Sequence, residues 1–240
     1  MVAIRRIALT LALAVPALPA TWAQETSSSS AAPAAQTQPA EPGSQSVQAR
    51  IRARREQRQQ QAIHDTYGHP YEVFVGGGYL RFKPGPNLQK VTMYSWDVAV
   101  TRYFDQKLGV TADARGYYGT PFVGLNDFSI TRPAISTYGF LVGPTYRLYK
   151  RPKYSVSARA LGGVAVGNFS GDTNGFKPST LGLYDDSNTY AISGGVVGEA
   201  NISPNLSLRL SGDYYGTGFG SDLQNSVGFT YGFVYRFGKQ

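Results

Sequence analysis

The sequence has no cysteine, only two methionines and only two histidines. Without cysteine there is no disulfide framework and no thiolate metal site, and no lipid can be attached at a cleavage-site cysteine. Both histidines, His64 and His69, lie before residue 70. The remaining chain therefore cannot build a Ser-His or Cys-His nucleophile, and neither a catalytic residue nor a cofactor site is expected. Beyond Ala23 there is no run of about eighteen apolar residues, which excludes a spanning helix. Charge is also sparse: 16% of residues, with a formal net of +8. Arg5 and Arg6 account for two of those charges, leaving +6 on the rest. That excess does not demand a nucleic-acid partner.

What is present begins with a leader. Arg5 and Arg6 precede an apolar run from Ile7 to Ala20, and small residues at Thr21 and Ala23 flank Trp22. This is the layout of a secretory signal peptide over residues 1–23, cleaved between Ala23 and Gln24. Residues 24–70 form a linker. Up to about residue 49 it is Ser, Ala, Pro and Gln, too poor in apolar surface to offset chain entropy, and is expected to be disordered. Residues 47–64 are richer in helix formers and predict a short, solvated helix. Its Arg50, Arg52, Arg54, Arg55 and Arg58 form a basic arm suited to either anionic lipid or the cell-wall polymer. His64 and His69 around Asp65 are a weak metal pattern, and no metal site is expected.

From Tyr71 onward the apolar period is two. Strands are predicted over 71–82, 92–104, 108–118, 136–149, 154–169, 189–202, 206–215 and 225–237. In the last of these, Val227, Phe229, Tyr231, Phe233, Tyr235 and Phe237 fill every second position, against Ser226, Gly228, Thr230, Gly232 and Arg236. Such a strand faces two different solvents. Three features favour lipid over water for the apolar face. Charges fall mid-strand on the polar face. Aromatics gather at both strand ends, with Tyr71, Tyr103, Phe104, Tyr146, Tyr149, Tyr154, Tyr235 and Phe237 at one end. Tyr79, Tyr94, Trp96, Tyr117, Tyr118, Tyr138, Tyr190 and Tyr214 lie at the other, as interfacial girdles do. Connections alternate in length, short at Asp105-Gln106-Lys107, 150–153 and Ser203-Pro204-Asn205 and long at about 83–91, 119–135, 170–188 and 216–224. The reading is all-β: an eight-stranded antiparallel up-and-down transmembrane β-barrel over residues 71–240 with a partly helical N-terminal tail. It belongs in the outer membrane of a Gram-negative envelope, with both barrel ends at the periplasm.

Over residues 71–240 the architecture resembles the OmpA-like and OmpX-like eight-stranded outer-membrane domains. Tyr235-Arg236-Phe237, after Phe229, Tyr231 and Phe233, resembles the terminal signal that the barrel-assembly machinery reads in this family, which implies Tyr235 and Phe237 as the assembly signal. Here Gly238, Lys239 and Gln240 follow the aromatic that is normally last. No wall-binding domain is expected after the barrel. The missing barrel histidine separates the chain from lipid A deacylase barrels.

Alternation turns Glu72, Asp97, Asp113, Glu199 and Asp213 inward together with Arg115, Arg147, Arg159, Arg209 and Arg236. Five acids and five arginines balance, as burial in a narrow lumen requires. Counted from the short turns, Glu72, Arg147, Arg159, Glu199, Arg209 and Arg236 lie towards the periplasm, and Asp97, Asp113, Arg115 and Asp213 nearer the middle. The chain is therefore expected to be a monomeric structural barrel with a salt-bridged, mostly closed lumen. A surface-binding barrel acting through its loops and a narrow porin-like channel are the alternatives; a wide pore is excluded by strand number. The partners expected are outer-membrane lipid and the assembly machinery, not nucleic acid. Asp185-Asp186 in the third long loop either binds calcium or stays solvated, and Asn174-Gly175 predicts a tight turn extending that loop as a hairpin.

Overall fold

The computed structural model describes residues 47–220 and 222–238. The leader, and the tether up to residue 46, lie outside the described residues. A helix, α1 (Val47–Tyr67), comes first. No Pro or Gly interrupts it and Ala, Gln and Arg dominate it, which is why it persists without an apolar face. It runs three residues past the predicted end because Gly68 closes it: the Gly68 amide donates to His64 O at 2.7 Å. A Cβ at Gly68 would stand 2.6 Å from that carbonyl, so the close approach needs glycine.

Eight strands follow: β1 (Tyr71–Phe82), β2 (Val91–Tyr103), β3 (Leu108–Gly119), β4 (Ala134–Lys150), β5 (Tyr154–Gly171), β6 (Ser187–Asn201), β7 (Leu206–Thr217) and β8 (Gln224–Phe237). Each pairs antiparallel with the next, and β8 pairs with β1 from Tyr71↔Phe237 to Arg81↔Val227, closing the barrel. Closure leaves no edge strand, the condition for placing a sheet in lipid. β4 and β5, with 17 and 18 residues, exceed the roughly 9–11 residues needed to cross a bilayer. Their long-loop ends therefore extend past the membrane.

The outward face is apolar. In β8 Val227, Phe229, Tyr231, Phe233, Tyr235 and Phe237 are 41–66% exposed, while Ser226, Thr230 and Arg236 are buried. A register shift between Arg147 and Tyr149 in β4 sets Leu148 and Tyr149 outward in succession. Two assignments to the girdles are corrected. Tyr103 and Tyr117 are buried inside the barrel, because each shares the inward phase of its strand with Thr101 and Arg115 respectively. The third long loop is also not a hairpin. Asn174 and Gly175 do form the turn, with φ of 51° and 84°, but the chain then folds inward through a 3-10 turn (Pro178–Leu181). Burial of Leu181, Leu183 and Tyr184 outweighs strand extension there.

Candidate functional site

The lumen is filled in three layers. At the short-turn end, β1, β4, β6, β7 and β8 bring together Glu72, Arg147, Glu199, Arg209 and Arg236. Glu72 meets all three arginines: Arg147, Arg209 at 3.0 Å and Arg236 at 2.8 Å. Glu199 accepts from Arg209 and from Arg236, each at 2.5 Å, and from Ser155 Oγ at 3.1 Å. Arg236 Nη1 also donates to Asn201 Oδ1 at 2.9 Å and Ser207 Oγ at 2.7 Å. Two carboxylates thus hold three guanidinium groups, and the planar forks reach two acids at once in a way lysine would not.

Below this layer stands Tyr67, the last residue of α1. Its ring lies 4.9 Å from the Arg147 guanidinium and 5.2 Å from that of Arg236. Its hydroxyl donates to Arg151 O at 2.9 Å and accepts from Asn201 Nδ2 at 2.8 Å. Arg147 also lies 3.6 Å from the Tyr103 ring centroid, so the surplus cation faces two aromatic rings. The helix end is a cork in the turn-side mouth. Sequence reasoning missed it, since no local pattern joins a tail residue to a barrel interior. Its one trace is an aromatic directly before the Gly68 stop.

The middle layer holds Asp113, Arg115, Arg159 and Asp213. Asp113 takes both Nε and Nη2 of Arg115 at 2.6 Å and Arg159 Nη1 at 3.3 Å. Asp213 takes Arg159 through a two-point contact at 3.0 and 2.6 Å. Arg159 was expected nearer the periplasm. The strands' stagger puts it level with Gly195, which in turn faces Asp213, and the side chain reaches the aspartates. Asp97 was expected to join the network. It is fully buried, and neither carboxylate oxygen has a hydrogen-bond partner. Its neighbour across the β2–β3 ladder, Arg115, is turned to Asp113. Among the described residues no ion pair joins the two charged layers. Between them Thr101, Thr111 and Thr145 are linked at 2.8 and 2.6 Å, and the space left is about 10 Å³, at or below what one water requires.

The long-loop half is largely apolar, with the hydroxyls of Ser193, Thr217 and Ser226 buried among its side chains. Phe82, Phe169 and Phe219 pack with ring centroids 5.3–6.3 Å apart, and Leu80, Leu141 and Leu161 line the wall. Leu181, Leu183 and Tyr184 descend from the third loop, tied to the first by Tyr184 N to Pro84 O at 3.0 Å. Tyr215 crosses towards Gly139, where a Cβ would meet its hydroxyl at 2.6 Å. Asp186 Oδ1 accepts the Phe169 amide at 2.6 Å, so Asp186 anchors the loop base. Among the described residues no metal-binding group of His, Asp or Glu exists. His69 instead meets Gly238 O at 2.7 Å.

Charge outside the lumen is uneven. The loop end carries Arg81, Lys83, Lys90, Arg132 and Lys177 against Asp127, Asp172, Asp185, Asp186 and Asp222, a balance of five and five. The turns and adjoining strand ends carry Arg102, Lys107, Lys150, Arg151 and Lys153 against Asp105, and α1 adds the acids Glu56 and Asp65. On α1, Arg50, Arg52, Arg54, Arg55 and Arg58 are all exposed. Tyr235 and Phe237 lie outward on β8, where the Phe237 ring stacks on Tyr71 at 5.6 Å.

No protein-family model and no curated protein matches the chain. Solved structures do. Ail, the attachment invasion locus protein of Yersinia pestis, in complex with the heparin analogue sucrose octasulfate, is 16% identical, with 70% of this chain and 97% of that chain covered and a TM-score of 0.43. Neisserial surface protein A is 14% identical over 70% and 97%, TM-score 0.48. The outer membrane protein OprG from Pseudomonas aeruginosa is 11% identical over 71% and 98%, TM-score 0.49. In this chain eight antiparallel strands close on themselves, turn their apolar side chains outward and keep their charges inside; it has the fold of a transmembrane β-barrel.

Proposed function

We propose that the protein is a structural outer-membrane barrel whose lumen is closed. The observation that carries this is the threefold filling of the interior: the Tyr67 cork and its ion pairs, the aspartate–arginine layer, and the phenylalanine cluster under the loops. Ion flow would require all three to move, and the charged layers are cross-linked by guanidinium groups that each hold two or more acceptors. The expected result in a planar bilayer is no steady conductance from the purified protein. A large, stable, ion-selective conductance would replace this reading with the narrow channel. The barrel stands with α1 and the short turns at the periplasm. Because the chain has no native cysteine, Asp186→Cys should react with an impermeant thiol reagent on intact cells and Arg151→Cys only after lysis; the reverse pattern would invert this orientation.

One observation favours a second reading, a surface-binding role for the loops. Leu125 is 93% exposed and Phe122 60%, and Phe128 and Phe176 form a half-exposed ring pair at 4.4 Å on the second and third loops. Apolar side chains on loop tips carry a cost in water that a bound surface would remove. Shortening the loops over residues 121–129 would abolish attachment to host or bacterial surfaces if the loops bind, and leave barrel assembly intact. As the assembly signal, Phe237 should be needed for yield: Phe237→Ala lowers the amount of folded barrel and raises envelope stress, while removal of residues 238–240 does neither.

A further inference from the structure

The strongest unassigned feature is the arc of turns joining β2 to β3 and β4 to β5. The two turns are bound together, with the Arg147 amide donating to Lys107 O at 2.8 Å, Arg147 Nη1 donating to Gln106 O at 3.1 Å and Lys150 Nζ donating to the Gln106 side chain. This fastening gathers Lys107, Lys150, Arg151 and Lys153 at one corner, with Arg102 one strand away. Asp105 is the sole acid of the arc, and it accepts the Gln106 amide at 2.6 Å. Among the described residues none of the five cations forms an ion pair.

Aromatic rings lie beside them on the outward face. Arg102 stands 5.9 Å from the Tyr71 ring and 5.7 Å from Phe104. Arg151 Nε donates to Tyr149 Oη at 2.8 Å, and Tyr149 stacks on Tyr154 at 5.7 Å. Cations held over outward aromatics sit at headgroup level, with the bilayer on one side and water on the other. A second, independent feature lies on the same four strands nearer mid-membrane. Small residues, Ala112, Ala114 and Gly162, between Val100, Phe140 and Val164 leave an outward apolar trough of about 470 Å³. Ala112 is four residues up β3 from Leu108, beside the turn, or about 13 Å. That is within the roughly 15 Å half-thickness of the hydrocarbon core.

We propose that this arc binds the phosphodiester headgroup of an anionic phospholipid, phosphatidylglycerol or cardiolipin, with an acyl chain lying in the trough above it. Lys107, Arg151 and Lys153 supply unpaired charge, and the turn fastening fixes their spacing. A wall polymer would have no use for an apolar trough above the cations. The inference rests on the barrel spanning a bilayer and not on whether its lumen conducts.

Native mass spectrometry of the full chain, freed of lipid in detergent, tests it by titration with cardiolipin, phosphatidylglycerol and phosphatidylcholine. The expected result is a saturable one-lipid adduct, favouring the anionic lipids by at least about tenfold, as several basic residues at a charged surface give. The triple variant Lys107→Gln, Arg151→Gln, Lys153→Gln drops that preference to about the phosphatidylcholine level; these side chains are exposed, so folding is retained. Exchange that keeps charge, Lys107→Arg with Lys153→Arg, preserves it. Ala112→Leu weakens the adduct without altering headgroup preference. Equal binding of all three lipids by the wild type overturns the proposal. So does loss of preference on replacing the five α1 arginines with glutamine while the turn variant keeps it, since the arm would then be the site. Conductance by the wild type would overturn the closed-lumen reading and leave this result untouched.

Discussion

The two halves of the lumen are sealed by opposite chemistry. Towards the short turns the interior is mainly ion pairs standing on an aromatic cork, beside a small cluster of Phe74, Ala99 and Val234; towards the long loops it is mainly phenylalanine and leucine. The difference follows from what each half can draw on. Loops long enough to fold back, such as the third, bring their own apolar side chains into the mouth and complete a core. Turns of three or four residues bring nothing, so the strands fill that end, with Tyr67 at the end of α1 beneath them. Arginine on the inward phase fills it well, being long enough to cross the bore and able to satisfy two carboxylates. A charged half depends on every member, because a lost partner leaves a buried charge behind, while an apolar half loses only the packing of the atoms removed.

The largest expected effect is at the hub. Glu72→Gln leaves Arg147, Arg209 and Arg236 to share Glu199, and one or more buried guanidinium groups loses its counter-charge. The cost is about 3–5 kcal/mol, read as a lowered urea midpoint for folding into lipid bilayers. The same variant should flicker open in a planar bilayer. Stability unchanged within error would show that the ion pairs are not what holds the turn-side half.

In the apolar half, Leu161→Ala should cost about 2–4 kcal/mol through lost contacts and a residual cavity, with no conductance, because no charge is released to draw in water. If this variant conducted while Glu72→Gln did not, the roles assigned to the two halves would be reversed.

The strands were legible because each one lies between two media. Leu206, Leu208 and Leu210 alternating with Ser207, Arg209 and Ser211 left no other phase available, and the observed β7 begins at Leu206. The same alternation accounts for the burial of the ten charged side chains inside the barrel. Who pairs with whom was not legible, since an arginine side chain spans more than one residue step along a strand, as Arg159 does in reaching both Asp113 and Asp213. The apolar half was hidden where alternation fails: Tyr79-Leu80 and Phe140-Leu141 put large apolar residues on both faces. Consecutive apolar pairs were the available signal, although Val73-Phe74 and Phe233-Val234 place a small apolar cluster in the turn-side half as well. Tyr67 left none of that kind, because its contacts with Arg151 and Asn201 span 84 and 134 residues.

A smaller effect tests the cork. Tyr67→Phe keeps the ring between Arg147 and Arg236 but removes the hydroxyl that ties it to Arg151 O and Asn201. The expected cost is about 1 kcal/mol, with faster hydrogen exchange at the end of α1 and no change in the strands. Exchange unchanged at α1 would mean that packing under the guanidinium groups alone holds the helix end.

The smallest effect is also the most discriminating, because it removes a buried carboxylate of the same sign as Glu72 and predicts the opposite consequence. Asp97 is enclosed, yet its two oxygens accept no hydrogen bond, and its cross-strand neighbour Arg115 is already held at two points by Asp113. A carboxylate in this position contributes desolvation cost without the compensating contacts that make Glu72 favourable. Asparagine has nearly the same shape and no charge. Asp97→Asn should therefore change stability by less than about 1 kcal/mol, towards gain, and leave the bilayer silent. The comparison with Glu72→Gln isolates pairing from charge: both variants convert an acid to its amide inside one bore, and only the one with three arginine partners should suffer. A loss above about 2 kcal/mol for Asp97→Asn would mean that Asp97 has a partner in the folded protein, with Arg115 divided between Asp97 and Asp113, and the middle layer would then be a five-membered network like the one at the turns.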